Sequence, residues 1–534
     1  MPENRPSLPA EHKPQFRGRL IVGMVLVSTA IMAVVGWIVI EHAEPILQAR
    51  VMETLSTRFH SKVELDGFHV SLLRGFQVSG EGLRLFGDTD PNPHQLGVQP
   101  LISVAEFRFR AGVMELFRTP THVDTVYIKG LSLNLPPREQ RGQMRKMGSG
   151  GEKMKILVDR FVCDGAELVI NTLRPGKLPL EFDIERLTMT RMGTNEPLHF
   201  DANLINPKPV GNIVSSGWFG PWQEDNPRDT PVRGSYSFTN ADLTTIKGIG
   251  GTLSSTGQYG GTLNSIVVDG KTDTPDFFIA TSGRPSPLHT DFHAIVDATS
   301  GDTYLDPVKA KLLDTWLVAS GSVVRTKEPK GHRVDLDVAI AKGNIDNLLK
   351  LAVRTDPPIM TGLVRLKSRF ELSPGDARVS DRLKLTGGFR VWQAHFANDK
   401  VQNKIDALSR RSLGGKKLAP DTVPDHVGSD LGGVFHLENG VIHFSQLQFE
   451  IPGTEVNLTG NYSLDGNQFD FHGKARLDAK LSHLVTGWKS ILLKPADPFF
   501  SKNGAGTELP VKITGTQSEP HFGSDFRHKE RQND

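Results

Sequence analysis

The chain has 534 residues, enough for several domain-sized units or one elongated repeat body. Its 62 basic and 60 acidic side chains nearly cancel, which excludes the charge signature of a nucleic-acid-coating protein or an acidic disordered tail. A hydrophobic share of 37% supports a core, and the single cysteine, Cys163, rules out an intrachain disulfide or a multi-cysteine metal centre.

Residues 20–40, from Leu20 to Ile40, form a run of 21 without a charge. At about 1.5 Å per residue this matches a hydrocarbon core of roughly 30 Å. Arg5, Lys13, Arg17 and Arg19 precede the run, while Glu41, His42 and Glu44 follow it. The positive-inside rule then predicts residues 1–19 in the cytoplasm and the remainder across the membrane, with Trp37 as an interfacial anchor. A cleaved signal peptide would have a shorter apolar region and a small-x-small site, and no such site stands out. One cysteine suits an exported domain, and Cys163 in its RFVCDG setting reads as a small buried residue.

After the anchor, Ile46, Val51, Leu55 and Phe59 predict an amphipathic helix over 45–60. Strand patterning follows at 63–67, 76–80 and 83–86. It is cleanest at 334–340, 364–372, 456–464 and 469–477. In 364–372, Val364, Leu366, Phe370 and Leu372 share one face, opposite Arg365, Lys367, Arg369 and Glu371. Val456 and Leu458 oppose Asn457 and Thr459, and Phe469 and Phe471 oppose Asp470 and His472. Such alternation describes antiparallel sheet with one dry and one wet side. Asn439-Gly440, Pro452-Gly453, Asp465-Gly466 and Asp269-Gly270 are expected hairpin turns, so each strand should pair with the next. Helical spacing recurs at 344–353, 401–411 and 481–493. Two stretches read as loops: 136–155, with Arg138, Arg141, Arg145, Lys146, Lys153 and Lys155, and 218–231, rich in Pro, Asp and Trp.

No P-loop, dinucleotide fingerprint, HExxH or GxSxG occurs at its required spacing. Gly270-Lys271-Thr272 lacks the first P-loop glycine, since Ser265 stands there, and the glycines at 248–251 read as turns. His436 and His443 flank a turn and are expected to face each other as solvent-exposed sheet residues without a third ligand. The oxygen-rich segment 88–93 lacks the remaining calcium-loop ligands. No cofactor or catalytic residue is expected.

Several segments together look like a known family. ARVMETLSTRFHSKVEL, GFHVSLLRGFQVSGEGLRLFG and VDTVYIKGLSLNLP follow the anchor in order. IPGTEVNLTGNYSLDGNQFDFHGKARLDAKL and LPVKITGTQSEPHFGSDF, with Gly515-Thr516 and Pro520, close the chain. These resemble the AsmA-like family of two-membrane bacteria, and the likeness runs through most of residues 20–526. The 136–155 and 218–231 stretches stand apart as insertions. The resemblance implies a mainly β protein: one transmembrane helix, then an elongated, bent antiparallel sheet open along one side like a folded taco, with a few short helices. The expected order is a cytoplasmic tail (1–19), the transmembrane helix (20–40), an amino-terminal β region (41–135), a flexible basic loop (136–155), a central β-groove (156–373), a carboxyl-terminal β region (374–526) and a tail (527–534).

The family resemblance further implies a protein fixed in the inner membrane, with its bulk in the periplasm. Its partners would be phospholipid acyl chains and an outer-membrane or envelope protein, not nucleic acid. A dry sheet face must either close as a sandwich or line a groove. A groove would shield acyl chains at about 25 cal/mol per Å² of apolar area. Val364, Leu366, Phe370, Leu372, Val456, Leu458, Phe469 and Phe471 are its candidate lining. The alternatives are a scaffold for outer-membrane assembly with the face packed shut, and an envelope glycan hydrolase.

Overall fold

The computed structural model describes residues 62–71, 76–86, 100–111, 121–135, 156–170, 180–193, 196–223, 226–326, 331–354, 356–412, 426–464, 468–478, 507–516 and 519–523, with scattered positions between 45 and 56. The expected transmembrane run, the basic loop at 136–155, the 88–93 segment, the Asp465-Gly466 turn and the helix at 481–493 lie outside these residues. Pro45, Gln48, Ala49, Met52, Glu53, Leu55 and Ser56, within the expected 45–60 helix, are helical. Among the described residues no helix is long and apolar enough to cross a membrane.

The chain divides into two compact units, Met1–Thr194 and Asn195–Asp534. The first contains β1 (Lys62–Glu64), β2 (Gly67–Ser71), β3 (Phe76–Phe86), β4 (Ile102–Ala111), β5 (Thr121–Leu135), β6 (Ile156–Ile170) and β7 (Leu180–Met192). β3 carries β1 and β2 on one edge and β4 on the other, and β4 continues to β5. In β4 the partly buried Phe107 and Phe109 alternate with the exposed Arg108 and Arg110. Phe107 and Phe109 pack against a cluster of Phe68, Val70 and Val78. The expectation that every strand runs antiparallel to its predecessor fails at β5–β6, which pair in parallel along their length. A parallel pair needs a return connection of about a dozen residues or more, and 136–155 supplies it. Cys163, on β6, is fully buried, and burial pushes its thiol up.

The second unit begins with β8 (Leu198–Pro207), β9 (Val210–Phe219), β10 (Pro231–Asp242), β11 (Ile249–Gly250), β12 (Thr252–Thr262) and β13 (Ser265–Ile279). It continues with β14 (Ser286–Asp297), β15 (Asp302–Leu312), β16 (Thr315–Thr326), β17 (Gly331–Asn344), β18 (Met360–Leu372) and β19 (Leu383–Phe396). It ends with β20 (Ser429–Glu438), β21 (Val441–Ile451), β22 (Thr454–Ser463), β23 (Gln468–Leu477), β24 (Thr507–Thr516) and β25 (Pro520–Gly523). All pairings described in this unit are antiparallel. From β12 onward each strand pairs with the next, and the short β11 joins β13 beside β12. The result is an open meander. At Asn439-Gly440 both residues take positive φ (50° and 74°), the geometry that lets β20 turn directly into β21.

Asp269-Gly270 is a correction, because it forms no turn and lies inside β13. Gly270 sits opposite Gly257 and Phe292. A Cβ there would come within 2.6 Å of the Phe292 ring and 2.8 Å of the Tyr236 hydroxyl. The glycine serves a close side-chain approach within the sheet rather than a reversal. The 218–231 stretch is shorter as a loop than expected. Trp218 and Phe219 complete β9, Pro231 opens β10, and the connection holds one 3-10 turn, Pro227–Asp229.

Among the described residues three α-helices interrupt the meander: α1 (Ile345–Ala352) after β17 and α2 (Asp399–Ser412) after β19, both close to their expected positions, and a single turn at Val379–Arg382 before β19. The strands beside them bury Ile340, Val364, Val391 and Ala394 and, further on, Ile451, Val456, Leu458 and Leu477.

Candidate functional site

The apolar side of β17–β24 follows from period-two patterning carried across the register. Leu366 stands between Ile340 and Phe389, and Phe370 between Leu336 and Leu385. Phe435 faces Phe444, Leu447 faces Leu458, Tyr462 faces Phe469, and Phe471 faces Ile513. Large rings meet glycines across the strands. Phe389 is opposite Gly433, and Gly460 lies between Phe444 and Phe471. A Cβ at Gly460 would fall 2.7 Å from the Phe471 ring, so that ring lies over the bare backbone.

The rings form a connected row. Phe389 lies 6.2 Å from Phe435 and 6.4 Å from Phe444; Phe444 lies 5.7 Å from Phe471; Phe471 lies 6.0 Å from Phe469. These are contact distances for tilted and stacked aromatic pairs. Each of the five is only partly buried. Their polar neighbours lie on the opposite face. There Arg369 binds Asp335 (2.8 Å) and Glu371 (3.1 Å), and Lys384 binds Glu438 (2.5 Å). Lys384 and His436 hold the Glu438 carboxyl below the usual carboxylate range.

The eight candidate lining residues divide into two groups. Val364, Val456 and Leu458 are buried, at 1%, 8% and 7% exposure. Val364 belongs to a cluster that includes Ile345 and Leu348 of α1, and Val456 and Leu458 to one that includes Leu408 of α2. They are core under the helices. Leu366, Phe370, Leu372, Phe469 and Phe471 remain partly exposed on the same face. The packing partners in both clusters come from neighbouring strands and one helix each. Phe389, Phe435 and Phe444 complete the aromatic row, and sequence reasoning missed them. Their signal was the alternation Leu385, Phe389, Val391, interrupted by Gly387 where an apolar side chain was expected.

The helices are fixed by polar contacts, some of them buried. Asn347, 3% exposed, donates to Asp314 and to the Thr315 hydroxyl (3.0 Å), which ties α1 to the turn between β15 and β16. Arg354 donates to the Thr281 carbonyl (2.8 Å) and Arg284 pairs with Asp356 (2.7 Å), so α1 and its flank reach back to the end of β13. In α2, Asp406 accepts from the Gln402 amide (2.9 Å) and the Val427 N–H (3.0 Å), beside His426 at 3.1 Å. Burial pushes the Asp406 carboxyl up, but these bonds outweigh it and hold the group below its ordinary range.

His436 and His443 are direct cross-strand partners on β20 and β21, as the turn between them predicted. His443 contacts Asn461 (2.6 Å) and His436 contacts Thr386 (2.9 Å). Among the described residues no group of three or more His, Cys, Asp or Glu side chains converges as metal ligands. Gly270-Lys271-Thr272 lies in an extended strand, where no phosphate-cradling loop forms. No protein-family model, curated protein or solved structure matches this chain.

Proposed function

We propose that this chain is an AsmA-like, inner-membrane-anchored protein that holds phospholipid acyl chains against the apolar face of its sheet and so supports outer-membrane biogenesis. The carrying observation is the row Phe389, Phe435, Phe444, Phe471 and Phe469, partly exposed and flanked by Leu366 and Phe370. Apolar side chains repeated at strand spacing offer an acyl chain uniform contact at about 0.8 kcal/mol per buried methylene. Such holding needs no bond chemistry, cofactor or metal, and the reading assigns the protein no enzymatic role. The charged run before residue 20 and the apolar run after it support an anchor with the large domain in the periplasm.

The test is the lipid content of the purified chain. Native mass spectrometry should detect bound phospholipid that exchanges with added labelled lipid. A chain free of lipid, and inert toward a fluorescent fatty acid, would remove the proposal. A scaffold for envelope assembly is the second reading, and α1 and α2 favour it because they cover part of the same face. It predicts a folded, lipid-free protein.

A further inference from the structure

The polar face of the same strands holds a depression of about 440 Å³. This lies within the roughly 300–1,000 Å³ typical of small-molecule sites. Its walls are Arg365 and Lys367 on β18, Arg390 on β19, and Gln446 and Gln448 on β21; its floor is Gly388, Gly432 and Val434, with Phe389 and Gly433 at its edge. The register sets these out in two rows. Arg365, Arg390, Gly432 and Gln448 are successive cross-strand partners, and so are Lys367, Gly388, Val434 and Gln446.

Two features of this grid cost stability in the empty protein, opposed like charges and sparse neutralisation, and a third holds the charges in place. Arg365 and Arg390 are directly opposed like charges, an arrangement that destabilises a sheet pair. Both guanidiniums lie over the Trp392 ring, at 5.5 and 5.7 Å, which fixes them side by side. Neutralisation is sparse. Among the described residues Arg365 and Lys367 have no ion pair, and Arg390 has only Asp430 at 3.9 Å. By contrast, Arg369, one step along the same strand, is fully paired.

The two floor glycines are not required by the backbone. Neither carries a positive φ, and a Cβ would meet ordinary contacts only, 3.4 Å at Gly388 and 3.7 Å at Gly432. The neighbouring Gly387 differs, since a Cβ there would lie 2.3 Å from the Lys367 carbonyl. Glycine in a strand interior weakens the strand, and one recurring reason for it is close approach by a ligand. Val434, 48% exposed, adds a neutral apolar surface beside this bare backbone.

We propose that this depression binds a phosphate ester of a small polyol, with the phosphate bridging Arg365 and Arg390 and reached by Lys367, and with the polyol carbons over Gly388, Gly432 and Val434. Paired guanidinium forks match phosphate oxygens, and Lys adds a point charge. The ester is either a free small molecule or the headgroup of a lipid. Its charged walls rise from the face opposite the aromatic row, and Phe389 of that row and Gly433 reach its edge; phosphate binding is read independently of acyl-chain binding, because the probes below include one without acyl chains.

The experiment is calorimetric titration of the full chain in a neutral detergent. The probes are glycerol 3-phosphate, dihexanoyl phosphatidylglycerol and, as the uncharged control, glycerol. Wild type should bind one or both phosphate probes but not glycerol, and added salt should weaken binding. Arg365→Gln and Arg390→Gln should each weaken binding by about tenfold or more, as loss of a charge-assisted contact does. Gly388→Val should abolish it by filling the floor while the thermal midpoint holds. Lys474→Gln, a distant cation on the polar face, should change nothing. Equal affinity for both phosphate probes identifies the free ester; preference for the dihexanoyl probe identifies the lipid headgroup. No binding of either phosphate probe at millimolar concentration overturns the proposal. So does undiminished binding by the folded Arg365→Gln/Arg390→Gln double variant.

Discussion

Charging the apolar face at two depths separates a lipid-holding surface from a closed core. Leu458 is 7% exposed and packed in a cluster with Val456, Ala475 and Leu477. Leu458→Asp places an unpaired carboxylate there, and should cost about 3–5 kcal/mol, enough to unfold much of the protein. Phe469 is only partly buried; its one ring contact within the row is with Phe471, at 6.0 Å. Losing an aromatic pair costs about 0.5–1.5 kcal/mol, and a carboxylate at the open side remains in reach of water. Phe469→Glu should therefore stay folded, with a melting point a few degrees lower at most. If acyl chains run along the row, that carboxylate must desolvate or bring water with it, at a cost of about 2 kcal/mol or more. Occupancy should then fall by more than about tenfold. Thermal melts beside native mass spectrometry of co-purified lipid read both quantities on the same samples. A folded Phe469→Glu protein carrying a full complement of lipid would refute the reasoning, as would a Phe469→Glu that unfolds like Leu458→Asp.

Other outcomes follow from the remaining structure. Asp406→Ala leaves the Gln402 amide and the Val427 N–H without their buried acceptor, and should lower stability by about 2–4 kcal/mol in urea denaturation. Asp297 titrates at about 2 rather than 3.8: burial raises it, but the Thr299 and Ser300 donors prevail. Because the folded state favours the ionised form, about 1–2 kcal/mol of stability should be present above pH 4 and fade as the pH falls toward 2. Thr299→Val should shrink that loss in an acid titration followed by circular dichroism. Protease added to spheroplasts should digest the large domain; a protected domain would reverse the orientation expected from the charges before residue 20.

The alternation in 364–372 and 469–477 was legible because one face is charged at nearly every second position, so a period of two could only be strand. The helices at 344–353 and 401–411 were legible for a similar reason, with apolar residues three and four apart, as at Ile345, Leu348 and Ala352. What sequence alone withheld was context. An Asp-Gly pair carries the same turn signal whether the chain reverses or a neighbouring ring needs space, and at Gly270 the ring of Phe292 decides it. The parallel β5–β6 pair was hidden because direction of pairing depends on where a connection returns, which no local pattern encodes. At the candidate site, the period placed Val364, Val456 and Leu458 on the correct face. It could not foresee α1 and α2 covering them. The opposed Arg365 and Arg390 belong to different strands, so only the register brings them together.

The clasp formed by α1 has a mechanical consequence. In a meander each strand is bonded to its immediate neighbours, so a pull on the carboxyl end should unzip β25, β24 and their predecessors one ladder at a time, as small and similar force steps. That sequence meets a first obstacle at β22, where Ser409 and Ser412 of α2 hold the Pro452 carbonyl and the Thr454 hydroxyl, and a larger one at β18. Through Asn347 to the β15–β16 turn, Arg354 to Thr281, and Asp356 to Arg284, α1 stitches β18 to strands as far back as β13. Under load the stretch from β13 to β18 should resist as a block and let go in a single larger event, a rivet in an otherwise peelable ribbon.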